Sequence, residues 1–148
     1  MMREAAQQAG LTLVEAPLGD PIQEPEYRRA FGLMVRERVK AFLVVDAVEN
    51  FTHRRVIVEL AKQAQLAAVY PWREFVESGG LMAYSTEIAE LYRGAAGYIA
   101  RIFEGAHPGE LPYQQATKFE LVINLKTAKA MGLTIPQSLL VRADQLIE

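Results

Sequence analysis

Cysteine is absent from this chain, which excludes disulfides, thiolate nucleophiles and cysteine metal ligands together. The compartment stays open, because proteins on either side of a membrane can lack the residue. Histidine is scarce: His53 and His107 stand alone, neither in a spacing such as H-E-x-x-H, so no metal site is expected. No apolar run reaches the ~20 residues that span a bilayer, and the opening MMREAAQQAG holds no apolar signal core. A membrane span and an export signal are therefore not expected. Charge of one sign is also missing. The net charge is −2, and the longest basic cluster is only His53, Arg54 and Arg55, so no field favours nucleic acid.

Catalytic signatures are missing too. Neither G-x-x-x-x-G-K-[ST] nor G-x-G-x-x-G occurs, and Gly79-Gly80 reads as a turn rather than a phosphate loop. Ser85 sits in AYSTE, without a G-x-S-x-G elbow. Glu74 and Glu77, beside Arg73 on a short helix, read as solvated face residues. No catalytic residue and no cofactor is expected.

What the chain does have is an ordinary globular composition, 51% hydrophobic and 23% charged over 148 residues. At that length roughly two-thirds of the unfolded surface can be buried. Without an internal repeat or low-complexity linker, residues 1–148 read as a single unit.

Periodicity places the elements. Residues 11–17 (LTLVEAP) and 41–48 (AFLVVDAV) read as strands. Between them Pro25 suits a first helical turn, and Tyr27, Ala30, Phe31, Met34, Val35 and Val39 recur along one face. Asn50 or Thr52 can cap a following helix with inward Val56, Leu60, Ala61 and Ala64. A strand at 66–70, a short helix at 72–77, a Gly79-Gly80 stop and a strand at 81–84 come next.

Strands this continuously apolar, alternating with helices, predict an α/β fold: a doubly wound, mostly parallel sheet. Residues 86–104 form the cleanest helix, with Ile88, Leu91, Tyr92, Ala95, Ile99, Ile102 and Phe103 in one stripe that must bury on something. Residues 119–125 alternate like a half-exposed edge strand. A short helix at 126–131 stops at Gly132, and Pro136 opens a last helix with a stripe of Leu139, Leu140, Ala143, Leu146 and Ile147.

Ligands of open α/β sheets sit outside the carboxyl ends of the strands, which selects residues 46–52, 70–73 and 84–86. Asp46 interrupts an apolar strand, where it can accept from a ligand ammonium or cap the next turn. Asn50 and Thr52 can hold a ligand carboxylate at a helix start or act as plain caps. Phe51 can stack on a ligand or staple the helix. Trp72, the single tryptophan, can wall a pocket or pack on the sheet end. Tyr84 and Ser85 offer hydroxyls, and Ser85 can instead serve as a cap or hinge.

Three phrases occur in order: YPWREFVESGGLMAY, a helix ending FEGAHPGELP, then TKFELVINLKTAKAMGLTIP. With them the chain resembles the C-terminal half of the ABC transporter substrate-binding proteins related to tryptophan and aromatic amino-acid uptake. That resemblance implies one lobe of a type I periplasmic-binding fold, binding an amino acid or similar small molecule without chemistry. By that analogy residues 1–10 are the tail of a helix, and the first lobe, with the first strand of the second, is missing. Tyr84 and Ser85 would lie where the chain crosses between lobes. The 86–104 stripe would cover the first lobe, through which an ABC permease is engaged. The resemblance implies a periplasmic location, while the lack of a signal leaves the cytoplasm open. The alternative is a truncated or repurposed lobe acting as a dimerising interaction or ligand-sensing module, its helix shared across a homodimer.

Overall fold

The computed structural model describes residues 2–148. Helix α1 (Met2–Gln8) is exposed throughout except for the half-buried Ala6. Met1, part of the expected helix tail, lies outside the described residues. Residues 11–17 do not form the expected strand: they join no ladder among the described residues, and Leu11 and Leu13 are exposed. Apolar, β-prone sequence is only half of a strand, since the ladder must come from a neighbour.

Helix α2 (Glu24–Arg36) follows, with Pro25 in its first turn and Tyr27, Ala30, Phe31 and Met34 buried as the spacing predicts. Val35 departs from that stripe and is exposed. Strand β1 (Ala41–Leu43) is shorter than expected, because Val48 already opens helix α3 (Val48–Thr52). Helix α4 (Arg54–Gln63) buries Ile57, Val58, Leu60 and Ala61 and leads into strand β2 (Ala67–Tyr70). Helix α5 (Arg73–Glu77) and strand β3 (Met82–Thr86) flank the Gly79-Gly80 turn. Each glycine has its own reason. Gly79 adopts φ +98°, while a Cβ on Gly80 would stand 2.5 Å from the Tyr70 ring and 2.8 Å from the Phe75 carbonyl oxygen.

Helix α6 (Ile88–Phe103) is followed by a 3₁₀ turn at Pro108–Glu110 and strand β4 (Phe119–Asn124). Helix α7 (Leu125–Ala130) starts from Asn124, whose side chain accepts from the Thr127 N–H at 2.9 Å. The expected last helix divides instead into helix α8 (Gln137–Leu140) and strand β5 (Gln145–Ile147). Pairing with β4 claims that apolar end for the sheet.

The five strands lie in the order β1-β2-β3-β4-β5. All neighbours are parallel except β3 and β4, which pair antiparallel from Met82↔Ile123 to Thr86↔Phe119. Strand β4 is therefore internal, not the edge its alternation predicts; β5 covers its free side. The mostly parallel α/β sheet flanked by helices is the class read from the sequence.

One face of this sheet carries the core. Tyr27, Phe31 and Met34 of α2, Ile57, Val58 and Leu60 of α4, and Phe75 and Val76 of α5 close over Ala68, Tyr70, Ala83 and Val122. Tyr70 stacks on Phe75 with ring centroids 4.9 Å apart. On the other face Leu43, Tyr84, Phe119 and Leu146 remain exposed.

Candidate functional site

The carboxyl ends of β1, β2 and β3 meet the amino-terminal ends of β4 and β5, because β3 and β4 run in opposite directions. Every candidate residue from the sequence lies along this rim, but the chain sorts them in different directions. Asn50 turns inward. Its Oδ1 accepts from the Tyr27 hydroxyl at 3.0 Å and its Nδ2 donates to the Val45 carbonyl at 2.9 Å, so it is a buried strut rather than an exposed cap. Ala47 occupies the N-cap of α3, and His53 that of α4. The expected capping by Asn50 or Thr52 is thus replaced: Thr52 sits in the last turn of α3, its Oγ1 donating to the Val48 carbonyl at 2.9 Å. Helix α3 starts earlier than the sequence indicates, which moves both residues inside it.

Phe51 and Trp72 do come together. Their rings meet edge to face with centroids 4.8 Å apart, both half-buried. The Arg54 guanidinium carbon lies 4.8 Å from the Phe51 ring centre, while its Nη1 donates to the Phe51 carbonyl at 3.1 Å. Asp46 is exposed and makes no hydrogen bond or ion pair among the described residues. Its carboxylate is free to meet a cation.

Tyr84 and Ser85 part company, since successive strand residues face opposite sides of a sheet. Tyr84 is exposed and stacks on Phe119 at 5.5 Å. Ser85 is buried on the core side, its hydroxyl 3.5 Å from Glu120 Oε1.

Sequence reasoning gave no site role to Arg54, Glu120 and Gln145, nor to Arg73, although the strand-end rule selects residues 70–73. Arg73 donates to Glu77, to Glu120 at 3.3 Å and to Gln145. Its position directly after Trp72 was the available signal. Two of its partners, Glu120 and Gln145, lie 47 and 72 residues away along the chain. Glu74 is half-buried, not a solvated face residue: its Oε2 is buried and has no hydrogen-bond partner. It borders an open cleft of about 450 Å³ between α4 and α5, lined by Arg54, Arg55, Glu59 and Lys62 among others.

Burial raises the Tyr27 hydroxyl above its ordinary pKa, with the Glu49 charge adding to the effect, so Tyr27 stays protonated as donor to Asn50. The described residues contain no group of three or more His, Cys, Asp or Glu able to hold a metal, and no helix is long and apolar enough to cross a membrane. The rim therefore presents an aromatic pair, a guanidinium over the Phe51 ring and an unpaired Asp46 carboxylate. Those groups suit holding a small molecule with apolar and charged parts.

Residues 1–147 match the family model described as ABC transporter substrate binding protein. A conserved domain protein from Vibrio cholerae O1 biovar eltor shares the fold with a TM-score of 0.86 at 26% identity, over 98% of this chain and 48% of its own. An ABC domain from Streptococcus pneumoniae, solved in complex with L-Trp, gives a TM-score of 0.85 at 25% identity, over 98% and 49%. The ligand-free, open structure of a substrate-binding protein with adhesive properties from Clostridium difficile gives 0.69 at 15%, over 99% and 48%; that likeness is of fold alone. No curated protein matches this chain. The chain spans about half the length of these solved structures.

Proposed function

The chain belongs to the ABC transporter substrate-binding protein family, and from that premise we propose that it is one lobe of a solute-binding component of an ABC importer. It holds an amino acid or similar small organic ligand at the strand-end rim and does no chemistry on it. The observation that carries this reading is the Phe51–Trp72 pair with Arg54 over Phe51. An apolar side chain would lie against the rings, and Asp46 would answer the ligand ammonium. Ser85, buried and turned to Glu120, would support the site from beneath, and Asn50 would brace it from within the core. Thr52 and Tyr84 would meet a ligand only from the exposed edge. The similar pneumococcal domain solved with L-Trp supports an amino-acid ligand. The family supports a location outside the cytoplasm, with a second lobe completing the cleft and meeting the permease.

A thermal melt with a panel of amino acids at millimolar concentration tests this. A ligand at ~100 times its dissociation constant adds about 2.7 kcal/mol, several degrees for a domain of this size. One amino-acid class should raise the midpoint, and Trp72→Ala should abolish that shift. A midpoint no amino acid moves overturns the reading.

A second reading is favoured by α6, which has no buried residue despite its apolar stripe. In it the lobe is an interaction or sensing module that dimerises through this helix. Sedimentation as a concentration-independent monomer excludes it.

A further inference from the structure

Trp72 and Ser85 stand at the ends of different strands, and one ion-paired cluster joins them. Arg73, the first residue of α5, donates from Nε to Glu77 Oε1 at 3.2 Å and from Nη1 to Glu120 Oε2 at 3.3 Å. Its Nη2 donates to Gln145 Oε1 on β5. The other oxygen of Glu120 faces the Ser85 hydroxyl at 3.5 Å. The Glu120 side chain is 19% exposed, so this pair is less open to water than the Arg73–Glu77 pair, whose Glu77 is 53% exposed.

Just beyond lies a neck. Ser85 pairs with Glu120 and Thr86 with Phe119 in the last rungs of the antiparallel ladder. Past it, the Glu87 N–H donates to the Lys118 carbonyl at 3.0 Å, and Lys118 Nζ meets Glu87 Oε2 at 2.5 Å. From this two-stranded neck α6 extends with no residue buried.

We propose that Arg73 and Glu120 are positioning residues that lock the Trp72 turn to the neck, so that the aromatic pair and the direction of the α6 arm are set together. The proposal rests on the strand-end rim being the ligand site. Neither residue needs to touch a ligand. Arg73 holds the start of α5, and with it Trp72, while Glu120 passes the constraint to the strands that carry the arm. A guanidinium is suited to this because its planar fork reaches several oxygens at once, which a lysine does not.

Trp72 is the only tryptophan, so its fluorescence reports this turn alone. The test compares the unmodified chain with Arg73→Gln, Glu120→Gln and the double variant, all without ligand, by acrylamide quenching of Trp72 and by amide exchange at Glu87. Each single variant is expected to raise both readouts about twofold to fivefold, and the double variant no further than either single one. Arg73→Lys should restore less than half of the loss, and Glu77→Gln, which cuts only the exposed pair, should leave Trp72 unchanged. Amide exchange at Val58 in α4 tracks the core and should not move. Additive effects in the double variant, or a Trp72 signal that ignores both substitutions, overturn the proposal. If a Gln variant loses its cooperative melt, Arg73→Lys decides alone: an unmoved Trp72 signal overturns the proposal. These readouts involve no ligand, so their failure is distinguishable from failure of the amino-acid panel.

Discussion

Helices α4 and α6 are written in the same amphipathic code, yet α4 buries Ile57, Val58, Leu60 and Ala61 whereas α6 buries nothing. The former lies against α2 and α5 over the sheet, in the hydrophobic core. The latter leaves Ile88, Leu91, Tyr92, Ile99 and Phe103 open to solvent. An apolar stripe is thus a demand for a partner, and the helix itself does not say whether the partner is in the same chain. The sheet repeats the contrast, with a helix-covered face and a face where Leu43 and Tyr84 are exposed.

That contrast can be broken or sharpened by substitution. The largest effect is expected at Phe75, which is 0% exposed. Phe75→Ala removes a ring from a closed core and should cost about 3–5 kcal/mol in urea unfolding. A loss below ~1 kcal/mol would mean the core is looser than its packing indicates. Next comes the buried strut: Asn50→Ala strands the Tyr27 hydroxyl and the Val45 carbonyl and should cost about 1–3 kcal/mol by the same measurement. A neutral result would return Asn50 to the rim.

Alkali should then act on the covered region through its buried tyrosines. Burial raises the Tyr70 and Tyr27 hydroxyls above the ordinary value. Below pH ~10 both the folded and unfolded chains keep these protons and the contribution is complete. Above it the unfolded chain ionises first, so stability falls as pH rises, by up to about 1.4 kcal/mol per pH unit for Tyr70. Tyr70→Phe should flatten that slope, as read by urea unfolding at a series of alkaline pH values. The smallest effect is expected at Phe103, which is 86% exposed. Phe103→Ala should stay within about 0.5 kcal/mol. A larger, concentration-dependent loss would show that the arm is covered by a second copy.

Much of the body was legible. Continuous apolar strands, helical stripes and the double glycine announced α2, α4, β2, α5 and β3 in order, because each is set by residues close in the chain. Apart from the early start of α3, the main errors fell where a partner decides. Residues 11–17 have strand composition but no ladder, β4 reads as an edge but is covered, and 145–147 were taken up by β5 rather than a helix. The site divides the same way. The strand-end rule picked out the candidate residues, but Asn50 turned inward, Tyr84 and Ser85 took opposite faces, and Glu120 and Gln145, which Arg73 meets, lie far from it along the chain.

The succession of α2, α4, β2, α5 and β3 and the amphipathic stripe of α6 were determined by the amino-acid sequence alone, since periodicity and turn chemistry are local. Only the tertiary structure decided which rim residues meet: Phe51 with Trp72, Asn50 with Tyr27, and Arg73 with Glu120 and Gln145. Such contacts join residues far apart in the chain, and strand register and packing, rather than any local pattern, bring them within reach.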